Sequence, residues 1–223
     1  MSTTLIVPGV GGSGAEHWQT WFEHQIQGAV RVEQGNWEEP ILHVWAGKIR
    51  RAIDIGRGPV WIVAHSFGCL AAVAAAQDRR ERIAGAMLVA PADPDRFTPD
   101  GLRDNGEAVF VKSITPLLPD QHLGFPTLLV ASENDPWAGL MISAYLAGRW
   151  GSRFLNIGAA GHINVDAGFG AWPQGIALFE ELRATQGGLP LGSIANSEER
   201  RRTRARTRRI GQYDWRNHIE HSR

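Results

Sequence analysis

The stretch that most constrains this chain runs from Val60 to Ala76. Val60-Trp61-Ile62-Val63 is a short apolar run rich in β-branched residues, the pattern of a strand buried on both faces. Leu70-Ala71-Ala72-Val73-Ala74-Ala75-Ala76 reads as a helix, because alanine is the best helix former. Between them stands Ala64-His65-Ser66-Phe67-Gly68. A serine with small residues two before and two after it, on a strand-to-helix turn, is the pattern of a nucleophile elbow. The turn is sharp enough to hold the serine in a strained backbone conformation, and bulky flanks would strike the neighbouring strand and helix. The usual first flank is glycine. Here it is Ala64, so one added methyl group must fit.

Short apolar strands alternate with helices along the body of the chain. Strands are expected at Thr4–Val7, Ala29–Glu33, Val60 onward, Ile83–Val89, Thr127–Ala131 and Arg153–Ile157. Helices are expected at Ala15–Gln27, Ile41–Ile55, after Ser66, at Trp137–Trp150 and at Pro173–Arg183, the last with proline in its first turn. The second helix carries Ile41, Val44, Trp45, Ile49, Ala52 and Ile53 at helical spacing. Asp95–Gly124 is the least regular segment, with a short helix expected near Gly101–Glu107. The alternation predicts an α/β fold: a three-layer α/β/α sandwich on a mainly parallel six-stranded sheet. In such sheets ligands bind beyond the carboxyl ends of the strands, where every candidate motif falls.

A chain of 223 residues can build one large domain. Composition changes near Gln186, so residues 1–185 are read as the domain and 186–223 as a tail, disordered or loosely helical. Glu198–Arg209 is rich in arginine, and the alternative to a solvated tail is an arm for nucleic acid or an acidic partner. Formal net charge is zero, so the global field points to neither nucleic acid nor a membrane surface. The single cysteine, Cys69, excludes an intramolecular disulfide and a cysteine-built metal site, and it reads as a small buried hydrophobe. The N-terminus lacks a basic segment and a long apolar run, so no signal peptide and a cytoplasmic location are expected.

A serine hydroxyl needs a general base, and the base needs an orienting acid. Asp135 follows the fifth strand and His162 the sixth, in the order nucleophile, acid, histidine that an elbow of this kind accompanies. Asp93, after the fourth strand, is the rival acid. His65 is read as packing, its side chain directed away from Ser66. The oxyanion of an acyl-transfer intermediate requires two backbone N–H donors. Phe67 is expected to supply one, and Val10, in the loop Pro8–Gly14, the other. His17, Trp18, Trp37 and Trp137 are candidates to line the substrate pocket. The loop Gly9-Val10-Gly11-Gly12-Ser13-Gly14 also fits G-x-G-x-x-G, and Glu33 stands near the end of the second strand. A nicotinamide-dinucleotide oxidoreductase is therefore an alternative, although it leaves Ser66, Asp135 and His162 idle.

Several of these pieces together resemble a known family: Pro8-Gly9 with Gly12-Ser13-Gly14 and His17-Trp18; Trp37; His65–Cys69; Ala90-Pro91-Ala92-Asp93; Ser132 with Asn134-Asp135-Pro136; and Gly161-His162-Ile163-Asn164. They resemble the small bacterial serine hydrolases of the YdeN type, whose animal relative is retinoblastoma-binding protein 9. The resemblance spans about Leu5–Leu182. It implies a compact α/β-hydrolase fold without a large cap and a Ser66–Asp135–His162 triad. It supplies no substrate and says nothing of the arginine-rich tail. The expected activity is hydrolysis of small carboxylic esters through an acyl-enzyme, with no cofactor or metal; amide hydrolysis and acyl transfer share that intermediate. A protein-binding module that retains the fold is the alternative from another class.

Overall fold

The computed structural model describes residues 2–103 and 112–185. Strands β1 (Thr4–Val7), β2 (Ala29–Arg31), β3 (Val60–His65) and β4 (Ile83–Val89) alternate with helices α1 (Trp18–Gln25), α2 (Leu42–Ile55) and α3 (Phe67–Ala76). A small hairpin, β5 (Phe97–Thr98) and β6 (Gly101–Leu102), follows. Then come β7 (Thr127–Ala131), α4 (Leu140–Trp150), β8 (Arg153–Asn156) and α5 (Pro173–Ala184). The main sheet has six strands in the order β2-β1-β3-β4-β7-β8, all parallel. The order reverses between β1 and β3. The connections leaving these two strands diverge there and open a crevice at their carboxyl ends.

Alternation along each strand feeds two separate cores. Leu5, Val7, Ile62, Ala64, Leu88 and Leu129 face α2, α3 and α4, where they pack with Trp45, Ile49, Leu70 and Trp150. Ile6, Trp61, Val63, Met87 and Leu128 face α1 and α5, where they pack with Trp18, Phe22 and Phe179. The period of two along a strand assigns consecutive residues to opposite layers. Helix α3 is buried all round, so it reads as an unbroken apolar run rather than an amphipathic stripe.

Several local expectations are corrected. Helix α1 begins at Trp18 rather than Ala15, because the His17 side chain accepts the Gln19 amide and caps it there. Helix α4 begins at Leu140 rather than Trp137, since the residues before it form the Asp135 turn. On α2 the buried stripe is Leu42, Trp45, Ala46, Ile49 and Ile53; Val44 is 42% exposed. Gly101-Leu102 pairs with Phe97-Thr98 as a hairpin instead of starting a helix; the rest of that expected helix, 104–107, lies outside the described residues. So do the expected tail, 186–223, and its arginine-rich run at 198–209. Among the described residues, no helix is long and apolar enough to cross a membrane.

Candidate active site

Ser66 connects β3 to α3 with φ 55° and ψ −129°, a region non-glycine residues rarely enter. It occupies the N-cap position, where a serine ordinarily hydrogen-bonds its own helix, yet its side chain makes no cap bond. Instead Ser66 Oγ donates to His162 Nε2 at 2.9 Å. The elbow closes only because its neighbours are small. A side chain at Gly68 would meet the main-chain carbonyls of Pro8 and Val7, and one at Gly9 would stand 2.6 Å from Ser66 Cβ. Ala64 is accommodated: its methyl group is fully buried in the core between β1 and β4.

Asp135, in the turn after β7, receives His162 Nδ1–H at 2.9 and 3.0 Å on its two carboxylate oxygens. Its Oδ1 also accepts the Trp137 amide at 2.8 Å, which fixes the carboxylate's orientation. With Nδ1 donating to a carboxylate, Nε2 is bare and able to take the Ser66 proton. The rival acid Asp93 does something else. It caps the turn at Asp95 with its carboxylate, while its own amide donates to the Trp137 carbonyl. Asp93 therefore braces the Asp135 turn from outside and makes no bond to His162.

Four residues tie down the loop that carries His162. Ser132 Oγ accepts the Ala160 amide at 2.9 Å, and Asn134 Oδ1 accepts the Gly161 amide at 2.7 Å. Ser132 Oγ in turn donates to Asn134 Oδ1 at 2.9 Å. On the other side, His65 Nε2 donates to the His162 carbonyl at 2.9 Å, and Trp18 Nε1 donates to the Ile163 carbonyl at 2.8 Å. Burial, above all, with the neighbouring His162 and His17 rings, holds His65 well below the ordinary histidine range, so it remains a neutral donor. His65 is thus more than packing, and Trp18 belongs to the buried core rather than to a pocket wall.

A cavity of about 430 Å³ opens above Ser66. His17 and Trp137, two of the four candidate pocket residues, line it. Trp37 instead packs edge-on against Trp45 and lies beneath Gly12. Among the described residues, the Val10 and Phe67 amides, the two expected oxyanion donors, have no hydrogen-bond acceptor. The glycine loop comes against Ser66 and does not open a helix at Gly14; Ala15–His17 intervene before α1, and Glu33 is exposed beyond the end of β2. Cys69, one turn into α3, is fully buried, and burial pushes its thiol pKa up, which suppresses a reactive thiolate.

Sequence and structure comparisons agree with this architecture. The family described as serine hydrolase matches residues 4–181. A YdeN-like hydrolase from Pectobacterium atrosepticum is 37% identical, with a TM-score of 0.73 over 82% of this chain and 91% of its own. The ydeN gene product of B. subtilis is 19% identical, with a TM-score of 0.64 over 82% of this chain and 98% of its own. Est1E from Butyrivibrio proteoclasticus, solved with ferulic acid bound, shares the fold at 15% identity and a TM-score of 0.60, over 83% and 88% of the two chains. No functionally curated protein matches the sequence. Given the family match over residues 4–181 and the extensive identity to the P. atrosepticum protein, the chain belongs to the serine hydrolase family, as an α/β hydrolase of the YdeN type.

Proposed function

We propose that the chain hydrolyses small carboxylic esters through an acyl-enzyme on Ser66. The observation that carries this reading is the unbroken relay from Ser66 Oγ through His162 to Asp135, facing a cavity. In the proposed reaction, Ser66 Oγ attacks the ester carbonyl as its proton passes to His162 Nε2. Asp135 holds the imidazole with Nδ1 protonated and stabilises the imidazolium. The Val10 and Phe67 amides receive the oxyanion. His162 then returns the proton to the departing alcohol, and water repeats the sequence on the acyl group.

The cavity volume, about 430 Å³, suits a small substrate. Its lining includes Glu38 and Asp166 and, among the described residues, no Lys or Arg, which favours uncharged esters over anionic ones. The site accordingly turns over acetyl and butyryl esters faster than long-chain esters, and a neutral ester faster than a hemisuccinate of similar length. Stoichiometric labelling by a fluorophosphonate that disappears in Ser66→Ala, together with loss of at least about 10³-fold in turnover, is the expected result. A folded wild-type protein that neither reacts nor turns over any ester would put a binding role in its place.

A further inference from the structure

Beyond the Ser66–His162–Asp135 relay, the cavity contains a polar group with no assigned work. His17 is 5% exposed and lines the cavity wall beside the glycine loop. Its Nδ1 accepts the Gln19 amide at 3.1 Å, so the proton of the neutral ring sits on Nε2. The polar groups around it are already engaged. Gln19 Oε1 accepts from Ser13 Oγ at 2.7 Å, and Gln19 Nε2 donates to the Val7 and Val63 carbonyls at 3.1 and 3.2 Å. Trp18 and His65 give their ring N–H groups to the His162 loop. Among the described residues His17 Nε2 has no partner, yet it is not one of the sealed, unpaired polar atoms of the interior. It therefore opens onto the cavity.

Capping α1 does not explain a histidine here. Asparagine, aspartate or serine caps better and buries less. Burial first, then the Arg31 charge and the neighbouring His162 ring, lower the His17 pKa to about 4, so the ring is neutral at ordinary pH and keeps a single N–H. An N–H that faces the cavity with no protein acceptor among the described residues is free to donate to a ligand oxygen there.

We infer that His17 is a substrate-binding donor: its Nε2–H, opening into the Ser66 cavity, hydrogen-bonds an oxygen of the substrate other than the scissile carbonyl. The preferred substrates are therefore esters bearing an ether, hydroxyl or carbonyl oxygen near the reacting bond, rather than plain alkyl esters. This rests on Ser66 being the nucleophile.

The test uses two ester pairs in which an oxygen replaces a methylene: 4-nitrophenyl methoxyacetate against butyrate, and 2-methoxyethyl acetate against butyl acetate. Each is measured with the wild type and with His17→Asn, which keeps the cap to Gln19 but is too short to place a donor where Nε2 stands. Comparing kcat/KM between variant and wild type cancels intrinsic ester reactivity, and comparing the two members of a pair cancels any loss of folded enzyme. The expected result is a loss about tenfold larger for the oxygenated member of at least one pair, the worth of one hydrogen bond. Equal losses within both pairs, with Ser66 still labelled by fluorophosphonate, overturn the role of His17 alone. A wild type that is neither labelled nor active overturns the nucleophile and this inference together.

Discussion

Acidification should destabilise this fold in a way that traces to His17. Burial and nearby positive charge lower its folded-state pKa from 6.5 to about 4. The unfolded chain protonates at 6.5 and the folded one does not, so unfolding takes up a proton in that window and stability rises with pH across it. The stabilisation is fully present above pH 6.5 and is lost as pH falls toward 4. The proton-linkage relation gives a loss of about 2 kcal/mol by pH 5 and about 3 kcal/mol by pH 4 from this one residue. That is a substantial share of the roughly 5–15 kcal/mol of a typical domain. His65, held even more firmly neutral by burial, adds a loss of the same sign. The assay is urea unfolding at constant ionic strength at pH 7.5, 6.5, 5.5 and 5.0, for the wild type and His17→Asn. Asparagine retains the α1 cap and removes the titration, so its curve should fall by about 2 kcal/mol less between pH 7.5 and 5. Parallel curves for the two proteins would refute the reasoning, as would a wild type whose stability is flat across this range.

Two further perturbations separate the parts of the site. Asp135→Asn places an amide opposite His162 Nδ1, which favours the tautomer with Nε2 protonated and unable to accept from Ser66; turnover should fall about 10⁴-fold. Asp93→Asn keeps the cap at Asp95 and should leave turnover within about twofold of wild type, so the paired kcat measurements distinguish the two acids. Gly68→Ala sets a methyl group against the Pro8 carbonyl and 2.6 Å from the Val7 carbonyl. Backbone cannot swing aside as a side chain does. A loss of about 2–3 kcal/mol, read as a melting temperature lower by about 4–10 °C, is expected, with slower turnover as the Val10 loop is pushed away.

The strands and the elbow were legible because their signals are local. A β-branched run, an alanine-rich run and small residues at fixed offsets from Ser66 each act within a few positions. Val44 and Gly101-Leu102 show the limit of that kind of reading. Val44 shares the apolar character of its neighbours but lies off the stripe defined by Leu42, Trp45, Ala46, Ile49 and Ile53. Gly101-Leu102 becomes a strand because Phe97-Thr98 is available to pair with it. The starts of α1 and α4 moved because side chains bond nearby backbone: His17 caps the Gln19 amide in the first turn of α1, and Asp135 accepts the Trp137 amide in the turn before α4. Gln19 gave no signal at all, and Ser132 and Asn134 entered only as pieces of the family resemblance, with nothing to point to their bonds to the Ala160 and Gly161 amides. Their partners lie on other strands and loops, and a polar residue in a loop has no periodicity to betray a buried task.

The supports around His162 follow from a physical difficulty at the carboxyl end of the sheet. Ser66 at φ 55°, Ala90 at φ 46° and Ile163 at φ 48° all hold positive φ without being glycine. Each such residue costs of order 1–3 kcal/mol and persists only where its surroundings over-determine it. Ser66 is held between β3 and α3, with the Gly9 backbone behind it. Ala90 donates its amide to the Val130 carbonyl, continuing the ladder between β4 and β7. Ile163 has no strand to hold it. Its amide goes to the Ala160 carbonyl, its carbonyl takes the indole N–H of Trp18, and its side chain is fully buried. Ser132, Asn134 and His65 secure the three residues before it. The imidazole thus sits on a loop as constrained as a strand, which keeps the 2.9 Å contact to Ser66 from depending on loop motion. A β-ladder could not do this, because the loop must cross from β8 toward Ser66 on β3, two strands beyond its nearest neighbour. Side-chain hydrogen bonds from β3, α1 and the turn after β7 supply the rigidity the ladder cannot.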